Sequence, residues 1–529
     1  MVLGSPNSAQ LDWEDFSIRP NDLEFLSSYL LEVETPLGPE ELATHLIRNR
    51  LRLQSEERAS QPQQKTYLPK ERFSPGDHLV FPSQGRVTGQ VVRVRPSKSF
   101  NGASFEVIEV LFDDGHTREY AANLPGHDLN DIPVEIEASP DQQAAQVAKA
   151  HAPTIAAQLS ESLQQSPDFV YIAGRWFPKA LIIDVGQGQL NVAEALLDMA
   201  AGEPLPTKQL LGEVELPEGV NPKLAEFSLD LALQEDDRFE EVGPAGEVAW
   251  FLRRLEPEAV REAPLFLRYV PVEHDRNALT DDMLEVESRL EDEHTPPEFQ
   301  PSGQGKEVQI PLIFPHWRTG SLPLTRQVAR LFPTAYESPR VRFDFVDGQN
   351  GERFQGWVVR PFGYIFGLRE WYLKRGLMPG SYVRVRRGAA PGEVQVSAEA
   401  HRSSKEWVRT ALVGADGGVV YANLKQQVES SFDERMVIFL PGDLQTLETN
   451  WQRRAGKPVS NFAQLVTQTM HELAKVNPQN HVHAVELYSA MNLILRCPPA
   501  PLFALLASRP QFQHVGHLHF RVVEQVAES

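Results

Sequence analysis

The apolar residues of this chain change period repeatedly, from helical spacing to two-residue alternation and back, which rules out a single-layer fold. Leu23, Leu26 and Leu30, then Leu42 and Leu46, recur every three or four positions, as on one face of a helix. From about residue 70 they gather in short β-rich runs separated by Gly and Asp turns, and helical spacing returns near Leu190. At ~100–200 residues per domain, 529 residues make three to five units, too many for one core.

An apolar share of 41% and a charged share of 23% are ordinary for globular chains. No uninterrupted apolar run reaches the ~18 residues of a membrane span. The start, MVLGSPNSAQLDWEDF, lacks a basic segment followed by an apolar one, so no signal peptide is expected. The single cysteine, Cys497, excludes a disulfide framework and reads as a small buried side chain. The expectation is a cytoplasmic protein without membrane contact.

Charge divides the chain. Between Arg326 and Arg409 there are 13 arginines and 2 lysines against 8 acids, a local balance of +7. With a net charge of −21, the remainder carries −28. A basic module inside an acidic chain is the pattern of a protein that grips phosphate locally.

Residues 1–60 read as a helical hairpin or helix-turn-helix-like piece, broken at Thr35-Pro36-Leu37-Gly38. Residues 70–130 hold Leu79-Val80-Phe81, Gly89–Val94, Phe105–Phe112 and Thr117–Tyr120, the strands of a small barrel. Their text, FSPGDHLVFPSQGRVTGQVVRV, resembles Tudor-like and CarD-type barrels of the SH3 class, which implies docking on RNA polymerase. Residues 131–168, rich in Ala, Gln, Ser and Pro, read as a linker. In 169–255 the helical face of Leu190, Ala193, Leu196 and Leu197, then PLPTKQLL, FSLDLALQEDDRF and the pair of strands around Gly243-Pro244 follow the order of a winged helix. This segment resembles HARE-type winged helices such as that of the RNA polymerase delta subunit.

Residues 256–306 carry 13 acids against 4 arginines up to Glu298 and read as a solvated acidic linker. Residues 401–460 are mixed and receive no assignment. Residues 461–529 repeat the winged-helix order, with Phe462, Leu465, Val466, Thr469 and Leu473 on the first helix. The fold class expected is therefore multidomain α+β: a helical N-terminal piece, a small SH3/Tudor-like barrel, two winged-helix-like units and a pseudobarrel of the seven-stranded type.

That pseudobarrel is placed at residues 307–400. LPLTRQVARLFP (322–333), a strand pair, and YIFGLREWYLKRGLMPGSYVRVRRG (364–388) resemble the DNA-binding pseudobarrel of plant transcription factors such as auxin response factors, whose bacterial relatives read targets for restriction enzymes. Arg326 holds the basic position, Phe332-Pro333 the corner and Trp371 the closing helix; Ser381 stands where the family has Asp. The resemblance implies two arms in the major groove, mapped onto 316–320 and 360–364. Arg318, Thr319, Arg360 and Tyr364 would then contact the duplex, and Arg326, Arg340 and Arg342 would hold phosphates. The other reading is a barrel whose arginines are solvated and whose tryptophans are core.

The 169–255 unit carries Asp230, Glu235, Asp236 and Asp237 where a DNA-reading helix needs cations, so it reads as a protein-binding module. Lysines lack the carboxylate two residues earlier that a restriction-type nuclease requires, and no GxxxxGK[ST] or GxSxG is present. His517 and His519 alternate along a strand, but no acid accompanies them, so no metal, cofactor or catalytic residue is expected. The leading expectation is a bacterial, non-catalytic, transcription-associated protein binding duplex DNA, with RNA polymerase or another transcription protein as partner. A scaffold without nucleic-acid contact and a target-recognition subunit of a restriction or defence system remain open.

Overall fold

Proline at the first helical position and the Asp22 carboxylate, which accepts the Arg19 backbone N–H at 2.7 Å, start helix α1 (Pro20–Val33). Its Leu26 and Leu30 face Leu42, Leu46 and Ile47 of α2 (Pro39–Ser60), all buried. A buried ion pair, Arg50 to Asp22 at 2.7 Å, ties the two helices. The structure is a computed structural model describing residues 13, 16–60, 64–81, 84, 87–98, 104–112, 114–131, 140–217, 219–301, 305–390, 392–414, 417–442 and 444–523. It divides into two units, residues 1–182 and 183–529.

In the first unit five strands follow: β1 (Gln64–Thr66), β2 (His78–Phe81), β3 (Val87–Lys98), β4 (Ser104–Phe112) and β5 (Thr117–Ala122). They form one sheet in that order around Tyr67, Leu79, Phe81, Ile108 and Phe112. Helix α3 (Pro140–Gln164) then lies against α2, burying Ala152, Ile155, Ala156, Leu159 and Leu163. This corrects the linker reading of 131–168, of which 132–139 lie outside the described residues. Alanines that resemble a solvated connector are small side chains through which two helices approach closely. The hairpin β6 (Phe169–Ile172) and β7 (Arg175–Pro178) closes the unit, and Leu37, between α1 and α2, bridges Trp176. Residues 169–182 thus complete the first unit rather than open the next. The result is three helices closed by a hairpin, with the five-stranded sheet inserted before the third helix.

The second unit starts with the same order uninterrupted: α4 (Gln187–Met199), β8 (Leu205–Pro206), α5 (Thr207–Leu211), α6 (Pro222–Glu235), β9 (Phe239–Glu241) and β10 (Ala249–Leu252). Strand β8 pairs with β10, and Leu190, Ala193, Leu197, Leu229 and Leu233 enclose Trp250. Asp230, expected on the outer face, is buried; its carboxylate accepts the Trp250 indole N–H at 2.9 Å and the Thr207 hydroxyl at 2.5 Å.

Residues 256–306 are not a solvated linker. Within them α7 (Glu258–Arg261) and α8 (Asp281–Arg289) bury Val260, Met283 and Val286. Glu287, Glu291 and Asp292 are buried too, which is tolerable only with partners. Arg276 lies 2.6 Å from Glu287, Gln327 donates to Glu291 at 2.8 Å, and Arg496 lies 2.8 Å from Asp292.

A nearly closed, barrel-like sheet of seven strands follows. It is built from β11 (Glu307–Pro311), then α9 (Phe314–Thr319), β12 (Ser321–Pro323), α10 (Arg326–Ala329), β13 (Arg340–Asp347), β14 (Arg353–Val359), β15 (Tyr364–Phe366), α11 (Arg369–Lys374), β16 (Tyr382–Arg387) and β17 (Glu393–Ala398). The strand order is β11-β16-β17-β13-β14-β15-β12, antiparallel except between β13 and β17. Alternate residues such as Val341, Phe343 and Phe345 fill it. The Trp371 indole donates to buried Asp347 at 2.7 Å, fixing α11 against the β13–β14 turn. Gly320 has φ +70°, and a Cβ there would stand 2.3 Å from the Arg369 nitrogen, so α9 can turn into β12 only through glycine.

The unassigned stretch 401–460 consists of a long hairpin, β18 (Ala400–Val413) and β19 (Val419–Ser430), and helix α12 (Gln445–Arg454). The chain then forms α13 (Phe462–Ala474), β20 (Val482–His483), α14 (Ala484–Ile494), α15 (Pro499–Ser508), β21 (Phe512–Gly516) and β22 (His519–Val522). Strand β20 pairs with β22, so three helices closed by a hairpin occur a third time. Cys497 is buried, and burial pushes its thiol pKa up.

Candidate functional site

The two arms expected to enter a DNA groove leave the barrel from its α9 and β14–β15 connections, and both are covered by other parts of the second unit. On the first arm, Arg318 donates from Nε to the Glu448 carboxylate of α12 at 2.8 Å. Its guanidinium also lies over the Phe266 ring. The Thr319 hydroxyl turns back to donate to the Pro315 carbonyl at 2.8 Å.

On the second arm, Arg360 donates to the Pro333 carbonyl at 3.0 Å and the Ser338 carbonyl at 3.3 Å. Burial lowers its pKa from the ordinary guanidinium value. Tyr364 is 1% exposed and its hydroxyl donates to the Ala259 carbonyl at 2.5 Å; burial raises its pKa. Around it Val242, Phe251, Val260 and Trp357 form a small apolar core shared with the preceding helical unit.

The phosphate-holding candidates are similarly engaged. Arg340 pairs with Glu240 of β9 at 2.6 Å and donates to the Val260 carbonyl at 2.9 Å. Arg342 is 8% exposed, lies 2.9 Å from Glu203 and sits over Phe251. Arg326 alone of the seven keeps an exposed side chain. The structure therefore brings these residues to junctions between neighbouring parts of the second unit rather than to one open face.

Carboxylates at one junction are strongly perturbed. Burial raises Glu241 to about 8, although its Oε1 accepts the Gly243 backbone N–H at 2.9 Å. Burial, and then the adjacent Glu240 carboxylate, raise Glu256 to about 8. Glu240 itself is held between Arg340 and Arg253.

A second polar cluster lies under the first arm, assembled from residues far apart in the chain. His316 Nε2 lies 3.0 Å from Glu293 and Nδ1 lies 2.8 Å from the Ser321 hydroxyl. Ser321 is 2.7 Å from the Thr319 hydroxyl. Beside them, fully buried Arg496 lies 2.8 Å from Asp292 and 2.9 Å from Glu293, and the Tyr488 hydroxyl donates to Asp292 at 2.8 Å. Burial alone would raise the Glu293 carboxyl, but Arg496 and His316 outweigh it and hold it well below the usual range. The Ser321 hydroxyl thus lies between the Thr319 hydroxyl and the His316 ring, and the ring links it to Glu293.

A serine, a histidine and a glutamate in this order share the layout of a hydrolase triad. Ser321, however, is 0% exposed, and no substrate can reach its hydroxyl. The cluster is a buried clamp joining residues 291–293, the barrel and α14. His316 fell within the expected arm, but Glu293 and Arg496 lie 23 and 180 positions away from it, beyond any local motif.

In the last unit the His519 ring lies 4.5 Å from that of His481 and 4.9 Å from that of His483. His483 Nδ1 accepts the Val485 backbone N–H at 3.1 Å, capping α14, and His519 Nδ1 is 3.1 Å from the His517 carbonyl. Among the described residues no group of three His, Cys, Asp or Glu could hold a metal ion, and no helix is long and apolar enough to cross a membrane. Comparison with protein-family models, curated proteins and solved structures finds no match in any of the three.

Proposed function

We propose that this chain is a non-catalytic scaffold that binds proteins, with the seven-stranded barrel serving as the internal hub of residues 183–529. The observation that carries this reading is the engagement of the barrel's arginines. Arg318, Arg340 and Arg342 each meet a carboxylate from elsewhere in the second unit, Glu448, Glu240 and Glu203 respectively. A guanidinium already neutralised by a carboxylate gains little from a phosphate, since counterion release requires free charge.

The three helical units closed by hairpins have the element order of winged helices, and we read them as that class of module. Two features favour protein partners over DNA. The third helix of the last unit, α15, is buried on almost every side, so it has no face to lay in a groove. The end of α6 presents exposed Glu235 and Asp237, which repel phosphate and suit a basic protein surface. The resemblances of residues 70–125 and 169–255 make transcription machinery, RNA polymerase included, the partner class to examine first, in a cytoplasmic setting.

The test is a titration of the intact chain with random-sequence duplex DNA at low and moderate salt. The expected result is weak binding with a shallow salt slope. Tight binding whose logarithm falls steeply with salt would overturn the scaffold reading in favour of a DNA-binding or target-recognition role.

A further inference from the structure

A cavity of about 390 Å³ opens beside the C-terminal end of α12 and the start of α13, a volume in the usual range for small-molecule sites. Its floor is apolar: Leu265, Trp451, Val459, Leu465, Ile494 and Leu495 line it. Its remaining charge is all of one sign. Arg268, Arg453, Arg454, Lys457 and Arg496 line the cavity, and no Asp or Glu does, in a chain whose net charge is −21.

These cations are not equivalent. Arg496 is neutralised by Asp292 and Glu293, and Arg268 has Glu262 at 3.7 Å. Arg453, Arg454 and Lys457 have no carboxylate partner among the described residues. Two helices end here, and the Ile494 carbonyl at the end of α14 accepts from Arg454 at 3.2 Å. Attraction to helix C-termini accounts for that contact. It leaves Arg453 and Lys457, and the rest of the Arg454 guanidinium, around a concave apolar wall where a field of one sign is concentrated.

We propose that this cavity binds an amphiphilic organic anion, its apolar body on Trp451 and Leu465 and its carboxylate or phosphate held by Arg453, Arg454 and Lys457. Trp451 is already fixed for that role, because its indole N–H donates to the Leu493 carbonyl at 2.9 Å and its ring forms part of the wall. The inference does not depend on which macromolecule the chain binds.

Calorimetric titration of the intact chain with dodecanoate, dodecyl phosphate and dodecanol, each below its aggregation threshold, tests it. At least one of the two anions should bind at one site, with dodecanol at least tenfold weaker, and the preferred anion identifies the headgroup. Arg453→Glu with Lys457→Glu, both at exposed positions, should weaken the anion at least tenfold and leave dodecanol unchanged. Gln464→Trp, which fills the mouth, should abolish binding of both anions. The proposal is overturned by any of three results: no saturable binding of either anion, equal binding of dodecanol, or unaltered anion affinity in the charge-reversed chain.

Discussion

Arg318 and Glu448 lie 130 residues apart in the sequence and share a hydrogen bond of 2.8 Å. The contact fastens the α9 end of the barrel to α12. Arg340 does the same on the other side with Glu240. In both cases a carboxylate from another part of the second unit neutralises the guanidinium. Three arginines of the barrel, Arg318, Arg340 and Arg342, and three acids outside it, Glu448, Glu240 and Glu203, thus form one set of joints.

Removing the charge of Arg496 should be among the most damaging single changes in the chain. Arg496→Met leaves buried Asp292 without its cation and Glu293 with only its histidine neighbours, a loss on the order of 3–5 kcal/mol. Calorimetric unfolding should show the transition of residues 183–529 displaced to lower temperature, with that of residues 1–182 unmoved. An unshifted trace would mean the clamp is not structural.

Ser321 should be chemically silent despite its histidine and glutamate neighbours. Incubation of the native chain with a fluorophosphonate probe is expected to give no labelling at Ser321, as read by peptide mass spectrometry. Labelling there would show that the buried cluster opens to solvent.

Glu241 and Glu256 make stability depend on pH in a defined direction. Their folded pKa values, about 8, lie above the ordinary 4.5, so the native state holds more protons than the unfolded one between those values. Stability from these groups is fully present below about pH 4.5 and is lost as pH rises through 8. Denaturant midpoints measured from pH 6 to 9 should fall with pH, and Glu256→Gln should flatten part of that slope. A midpoint that rises over the same range would contradict the assignment.

Much of this architecture was readable in the sequence where periodicity is local. Leu190, Ala193 and Leu197 form the buried face of α4, and Phe462, Val466, Thr469 and Leu473 that of α13, as their spacing implies. The order of strands and short helices in the barrel also follows from local text, including the Trp371 helix.

What escaped depends on distant residues. The first helical unit is hidden because an inserted sheet separates α2 from α3. The acidic stretch looked solvated because the cations that neutralise it, Arg276 and Arg496 among them, are recognisable only after folding. Asp230 did carry a local signal, for it sits three positions from both Phe227 and Leu233 on the buried face of α6.

That buried carboxylate gives another measurable consequence. Asp230→Leu leaves the Thr207 hydroxyl without its acceptor and the Trp250 indole N–H with only the Thr207 oxygen at 3.1 Å, at a cost of about 1–3 kcal/mol. Hydrogen exchange in α5, α6 and β10 should accelerate accordingly, whereas exchange in the five-stranded sheet of the first unit should not change.

The central claim is that Arg318, Arg340 and Arg342 of the barrel are internal joints, and the unfolding midpoint of Arg340→Ala against Arg326→Ala tests it most directly. Arg340 is largely buried against Glu240, which keeps Arg253 as a second cation, and its removal should destabilise residues 183–529 by about 1–3 kcal/mol, while loss of exposed Arg326 should leave the midpoint within about 0.5 kcal/mol of native. Equal midpoints for the two variants would contradict the account and return Arg340 to the surface as a free cation.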